Sequence, residues 1–328
     1  MPSSTTDYEI LAAELIRALR GKRTQLGLSR RLRSKSNVVY TWESGRRFPT
    51  AAKFHWVASR CGVDIQAAMT QFYRSEPAWM KDWDPKTAEG IAQLLNDLKG
   101  NSSVTELAKR TGFTRFSLAR WLKAQAEPKL PEYLRLIEGL SLRLADWISA
   151  FVDPSLLPSL QQHWSELQAA RKAAYELPWS HAVLRLLETE QYRQLRKHER
   201  GFIASRLGLS ITEEEQCLAA LAGAGQIELS GIYQVRQVQA IDTRQDPEAG
   251  QRLKVWWSQV ALKQLEAGGA GRFSYNLFTV SERDYQRLEE LHLAYFRELR
   301  AIVAQSEPAE RVALVNMQLL PLENLARN

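Results

Sequence analysis

An internal repeat of 79 residues constrains the fold of this chain more than any other feature. Residues 24–49 read TQLGLSRRLRSKSNVVYTWESGRRFP, and residues 103–128 read SVTELAKRTGFTRFSLARWLKAQAEP. Each stretch begins with a hydroxyl residue that can cap a helix, continues through a short turn, and ends in a second helix with an inward Trp. The matched pairs are Thr24 with Ser103, Leu28 with Leu107, Leu32 with Thr111, Val39 with Leu118, Trp42 with Trp121, Pro49 with Pro128, Ile65 with Leu144 and Phe72 with Phe151. The sequence therefore predicts a duplicated domain.

Each copy has the outline of a helix-turn-helix, in which the second helix is presented to the DNA major groove. The first copy resembles the phage-repressor-like helix-turn-helix family, often called the Cro/CI or XRE family. The resemblance covers about residues 9–70 and lies in Thr24-Gln25, in Leu28-Ser29, and in the run from Trp42 to Arg47 followed by Pro49. At the turn position that is usually Gly in the family the first copy has Arg33, whereas the second has Gly112. Because a non-Gly residue seldom takes a positive φ, we expect the first turn to be shaped differently.

The resemblance also implies which side chains meet DNA. Base-reading positions carry over to Lys35, Ser36, Asn37 and Thr41, with Tyr40 beside them. The residue types fit, since Asn can bond adenine, Lys can reach guanine acceptors and the Thr methyl can touch thymine. Phosphate-contacting positions carry over to Gln25, Arg46 and Arg47, and Arg30 and Arg31 could strengthen the same contact.

The second copy leaves two interpretations open. Its corresponding reading positions are Thr114, Arg115, Phe116 and Arg120, but residues 123–127 replace the glycine and the paired arginines of the first copy. It is either a second DNA surface or a duplicated fold reused as a packing partner or orienting arm.

The charge distribution singles out the first copy. The net charge is +7, yet residues 1–75 alone hold 13 Lys and Arg against 5 Asp and Glu, while residues 76–153 hold 11 of each. A localised surplus of this kind favours a polyanionic partner.

Bulk features exclude several classes of protein. No stretch has the eighteen or so apolar residues of a membrane span, and the start lacks the order of a secretion signal, so we expect a cytoplasmic protein with no membrane partner. Cys61 and Cys217 stand alone, which gives neither a disulfide framework nor a thiol zinc site. The five histidines are dispersed, Gly268 to Gly271 reads as a turn, and no catalytic motif is present. We therefore expect no enzyme, cofactor or metal site.

The second half predicts a different architecture. A connecting helix over 159–175 precedes a winged-helix outline from Pro178 to Val235, with a hairpin turn at Ser230-Gly231. Its reading helix, expected from Thr212, opens with three glutamates, which disfavours phosphate and favours a packing or dimer element. Next come a long helix with Trp256 and Trp257, a strand over 272–280, a second long helix and a final segment over 312–320. The final segment is a candidate partner for the strand. The Trp pair is either core or the lining of an effector pocket. In element order this half resembles the C-terminal region of a group of uncharacterised bacterial regulator-like proteins.

The predicted fold is mainly α: tandem repressor-like helix-turn-helix domains, then a winged-helix-like domain and a small α+β unit. The expected domains are 1–76, 77–153, a connecting helix at 154–177, 178–242, and a dimerisation or effector domain at 243–328. The predicted function is a sequence-specific DNA-binding transcription regulator that binds double-stranded DNA as a homodimer, with an effector possible at the C-terminal domain. A monomer that spreads both motifs over adjacent grooves is the variant, and a protein-interaction adaptor that reuses the repressor-like domains is the alternative.

Overall fold

The computed structural model describes residues 6–73, 76–100, 102–236, 246–304 and 306–323. It is mainly α-helical and divides into two compact units, Met1–Gln168 and Ala169–Asn328. Among the described residues, no helix combines the length and the apolar character that crossing a bilayer requires. The predicted boundary at residue 242 lies outside the described residues.

The first copy of the repeat folds into five helices. They are α1 (Tyr8–Arg20), α2 (Gln25–Arg31), α3 (Val38–Glu43), α4 (Ala51–Cys61) and α5 (Ile65–Tyr73). Side-chain caps fix where these helices begin: Asp7 caps α1, Thr24 caps α2 and Thr50 caps α4. Helices α2 and α3 form the predicted helix-turn-helix.

The second copy repeats this order after a short 3-10 helix, Ala78–Asp82. Its helices are α6 (Ala88–Lys99), α7 (Val104–Thr111), α8 (Arg115–Leu122), α9 (Leu130–Ser141) and α10 (Leu144–Ser149). The cap of α7 is a capping box of Ser103 and Glu106, and Ser103 is the counterpart of Thr24. The predicted duplication is confirmed, because all seven matched pairs other than these caps are buried in both copies.

The two copies pack reciprocally. The Ala51 N–H donates to the Pro128 carbonyl at 2.9 Å, and the Leu130 N–H donates to the Pro49 carbonyl at 2.8 Å. These two bonds are the same bond with the copies exchanged, since 49 corresponds to 128 and 51 to 130. The helix contacts follow the same rule: α1 packs on α9, and its counterpart α6 packs on α4. Such exchange is the signature of a two-fold interface, here within one chain.

An aromatic cluster holds the two copies together. His55 is fully buried, and its Nε2 lies 3.0 Å from the Tyr133 hydroxyl of the other copy. The rings of Trp147 and Phe151 pack edge-on against the imidazole. Because burial penalises the charged imidazole, the pKa of His55 falls to about 3.

The second unit contains the winged-helix-like domain. After α11 (Pro158–Glu176), which confirms the predicted connecting helix, come α12 (Trp179–Leu187), α13 (Glu190–Arg193), α14 (Phe202–Leu207) and α15 (Ile211–Gly223). Strands β1 (Ile227–Ser230) and β2 (Ile232–Val235) pair antiparallel, with Gly231 at φ +76 in the turn. The helix predicted from Thr212 begins at Ile211, because Ser210 and Glu213 form its capping box.

Two long helices follow, α16 (Pro247–Glu266) and α17 (Glu282–Ala304). The prediction of a strand over 272–280 is wrong, because residues 272–280 lie in no sheet. Residues 312–320, the candidate partner, lie in no sheet either. Among the described residues of this unit, the sheet consists of the hairpin of β1 and β2. Suitable strand residues are present, but no neighbouring strand within the described part of the chain pairs with them.

Candidate nucleic-acid interface

A buried serine fixes the angle between the two helices of the first motif. The Oγ of Ser29 lies 3.0 Å from the Oδ1 of Asn37 and accepts the Val39 N–H at 3.2 Å. Val39 and Trp42 are buried against α1 and α2, as the sequence predicted. The expectation of a different turn at Arg33 is wrong, since Arg33 takes φ +52 and Gly112 takes φ +69. Both copies therefore have a residue of positive φ at this turn, and the first copy adopts it without glycine.

A buried carboxylate ties the motif to α1. Glu43 accepts from the Arg20 Nε at 2.6 Å and from the Arg20 Nη2 at 3.2 Å, and it also accepts the Gln25 amide at 2.8 Å. Gln25, a predicted phosphate contact, is therefore held at the start of α2 by the last residue of α3. Sequence reasoning missed Arg20, because nothing local links it to a glutamate 23 residues away.

The predicted base-reading residues differ in their exposure and in the hydrogen bonds that they already make. Lys35, Ser36 and Tyr40 are exposed, whereas Asn37 and Thr41 are half-buried. Asn37 is the N-cap of α3, and its Oδ1 also accepts the Tyr40 N–H at 3.4 Å, so the oxygen needed for a bidentate adenine contact is already engaged. The Thr41 hydroxyl donates to the Val38 carbonyl at 2.7 Å, which leaves its methyl group for a base contact.

Unpaired cations border these residues. Arg30, Lys35, Arg46 and Arg47 are exposed, and no carboxylate of the described residues forms a salt bridge with any of them. The guanidinium of Arg46 lies 5.4 Å from the ring centroid of Tyr40, which holds a charge beside α3. Arg31 differs, because its Nε donates to the Arg60 carbonyl at 2.8 Å. The first motif thus presents positive charge without internal neutralisation, as a phosphate-binding surface requires.

The second motif presents a different surface. Thr114 caps α8 by accepting the Ser117 N–H at 3.1 Å, and Arg115 is exposed. Phe116 is 72% exposed, with the guanidinium of Arg120 5.6 Å from its ring centroid. All four predicted positions lie on the surface, but an apolar ring replaces the polar groups of the first motif.

The winged-helix-like domain uses its three glutamates internally. Glu214 is fully buried and accepts the N–H groups of Gly201 at 2.9 Å and Ala204 at 2.5 Å, at the start of α14. Glu213 caps its own helix, and Glu215 pairs with Arg200 at 2.6 Å. The acidic run therefore serves helix packing and capping.

The tryptophan pair of α16 is packed rather than free. The rings of Trp256 and Trp257 lie 5.0 and 5.5 Å from Trp179, both nearly perpendicular to it. Trp256 also lines a groove of about 490 Å³ with Glu248, Gln251, Arg252, Val255 and Gln259. All six lining residues belong to α16, so the groove has one wall.

The family comparison concerns the second half of the chain. A family model described as "Domain of unknown function (DUF4423)" matches residues 159–322, half of the 328 residues. No curated protein and no solved structure matches the chain. The helix-turn-helix motifs lie outside the matched range.

Proposed function

We propose that this chain, which belongs to the DUF4423 family, is a sequence-specific DNA-binding transcription regulator that binds its operator as a homodimer through the first helix-turn-helix. The observation that carries the proposal is the exposed start of α3 bordered by four cations without carboxylate partners among the described residues. Charge and motif are independent features, and they coincide on one surface.

In this proposal α3 enters the major groove. Lys35 and Ser36 face base edges, because they precede α3 and are exposed. Tyr40 and Thr41 follow one turn later, while Asn37 acts first as the cap that orients them. Arg30, Arg46 and Arg47 contact DNA phosphates. Gln25, whose amide donates to the Glu43 carboxylate, lies at the start of α2 and contacts a phosphate beside them.

A single motif touches too few bases for high specificity, so the operator would contain two inverted half-sites about 34 Å apart. The C-terminal half would supply the two-fold contact between chains, and the groove beside Trp256 is where an effector would bind. Such a regulator would act in the cytoplasm.

The adaptor alternative rests on Phe116. A large ring that is 72% exposed and flanked by arginines is also what a protein-binding surface presents. Under this alternative the basic surface of the first motif would meet an acidic protein instead of DNA.

Gel-shift titrations of random genomic fragments at several salt concentrations test the proposal. We expect affinity to fall steeply with salt, and Arg46→Ala with Arg47→Ala to weaken binding to all sequences alike. The salt slope of the dimer should fall by roughly 4, about one unit for each arginine removed from the two chains. Lys172→Ala, which removes an exposed cation of α11, is the matched control and should change neither quantity.

Base reading is tested separately. Lys35→Ala should reduce the preference for the selected site over competitor DNA by about 1 to 3 kcal/mol while non-specific binding changes less. Lys35 is a sharper test than Asn37, because Asn37→Ala would also remove a helix cap. Salt-independent binding, or variants that bind as the wild type does, would contradict the proposal, and capture of an acidic protein by the same arginines would favour the adaptor.

A further inference from the structure

Very few of the described residues between 246 and 323 are buried. Among the described residues of this range, only Ala249, Gly250 and Leu253 are buried, all near the start of α16. Helix α17 has 23 residues, and no side chain that the structure describes in it is buried. Helices of this length are stable in water when an apolar face packs against another element. The described part of this chain supplies no such element for α17.

The exposed apolar side chains are concentrated here. Of the 25 large hydrophobic residues that are exposed in the described chain, 17 lie between Val255 and Leu322. At roughly 100 Å² each they expose on the order of 1,700 Å² of apolar surface in total, an area within the range that one chain buries in an obligate dimer interface.

Helix α17 carries the pattern of a pairing helix. One stripe repeats every seven residues at Leu288, Tyr295 and Ile302, and a second repeats at Tyr285, His292 and Leu299. Together they alternate in steps of three and four, which is the a and d spacing of helices that pack along their length. All six side chains are exposed or half-buried.

Two extended segments lie without strand partners. Residues 272–280 (RFSYNLFTV) and 312–320 (VALVNMQLL) are rich in aromatic and branched side chains that favour strands. Tyr275 is 93% exposed, and no backbone hydrogen bond joins either segment to another described residue. The second segment nevertheless has a defined place, because Asn316 and Gln318 both donate to the Ser258 hydroxyl of α16, at 3.1 and 3.3 Å.

We infer that residues 246–323 form one shared domain with the same residues of a second copy of this chain. Helix α17 packs along its a and d stripe against the second copy, and the segments 272–280 and 312–320 gain their strand partners from it. The groove on α16 then gains its second wall from the second copy. This inference deepens the proposed regulator and rests only on its being a dimer.

A second copy fits better than another partner. A two-fold axis makes a heptad stripe and an unpaired strand complementary to themselves, so no further sequence is needed. Residues 246–323 hold 9 Lys and Arg against 11 Asp and Glu, so two copies meet without strong repulsion and the surface does not favour an anionic membrane. Unpaired strands also cannot enter hydrocarbon, where their backbone groups would stay unsatisfied.

Light scattering combined with hydrogen exchange tests the inference on the full chain. We expect twice the chain mass at micromolar concentration, and amides of 272–280 and 312–320 that exchange at least about 100-fold more slowly than unpaired amides. Ile302→Glu should raise the dimer dissociation constant at least about 100-fold and restore fast exchange in both segments. Leu156→Glu is the control, since Leu156 is 64% exposed and Ile302 is 66% exposed, and it should leave the dimer intact.

Circular dichroism checks that both variants stay folded, as expected for exposed positions. A monomeric wild-type chain, or a dimer whose two segments exchange at the unpaired rate, would overturn the inference and leave another partner to cover this face. A dimer that binds no DNA contradicts only the proposed function. A monomer with salt-dependent DNA binding contradicts the present inference and the proposed homodimer, and it leaves the proposed DNA binding through the first motif standing.

Discussion

Acid should destabilise the folded protein through His55, which is buried between the two helix-turn-helix copies. The imidazole is fully buried between the copies, and its pKa is about 3 instead of 6.5. As the pH falls below 6.5, the unfolded chain takes up a proton that the folded chain cannot accept until about pH 3, so stability decreases over this interval. From pH 7.5 to pH 5 the loss attributable to His55 is about 2 kcal/mol, because each pH unit below the unfolded pKa removes about 1.4 kcal/mol.

The measurement is urea unfolding of the full chain at both pH values, followed by tryptophan fluorescence. His55→Gln keeps an amide that can bond the Tyr133 hydroxyl but cannot titrate, so its stability should fall about 2 kcal/mol less than that of the wild type between pH 7.5 and pH 5. Tyr133→Phe is the control: it keeps the imidazole and should lose about 1 kcal/mol at both pH values without changing the pH dependence. His181, whose pKa falls to about 4 through burial in the second unit, contributes equally to all three proteins and cancels in the comparison. A His55→Gln protein that loses stability as steeply as the wild type would refute the reasoning.

Three further predictions concern stability, measured as the free energy of unfolding. Arg33→Gly should stabilise the protein by about 1 kcal/mol, because φ +52 strains a side chain, and Arg33→Ala should bring no such gain. Glu43→Ala should cost about 3 kcal/mol by leaving a bidentate partner unpaired, whereas Arg17→Ala, which removes an exposed partner 3.9 Å from the same carboxylate, should cost less than about 0.5 kcal/mol. Glu214→Ala should cost about 2 to 4 kcal/mol because two N–H groups lose their acceptor, while Glu215→Ala, with its pair exposed, should cost less than about 0.5 kcal/mol. Equal losses within either pair of variants would contradict the assigned partners.

Local signals predicted much of the first unit. A cap such as Thr24 acts within three residues of itself, and Leu28, Val39 and Trp42 show the helical spacing that burial requires, so a single sequence contains the whole signal. The repeat made the second copy predictable from the first. The exposed positions Lys35 and Ser36 follow from the same register.

Other features depend on contacts that no local pattern encodes. The bond between Arg20 and Glu43 joins residues 23 positions apart, and the reciprocal bonds at Ala51 and Leu130 depend on how two finished domains meet. The strand expected at 272–280 failed for a related reason: strand propensity describes a segment, while a strand requires a neighbour, which the described part of this chain does not supply.

The reciprocal packing of the two copies frees the chain from a restriction on homodimers. Two identical subunits must present the same side chains on both sides of their two-fold axis. Here each half of the pair has its own sequence, and corresponding positions have diverged to Ser36 and Asn37 in the first copy and Arg115 and Phe116 in the second. The backbone therefore keeps the geometry of a symmetric pair, while mutation can adjust the surface of either half alone.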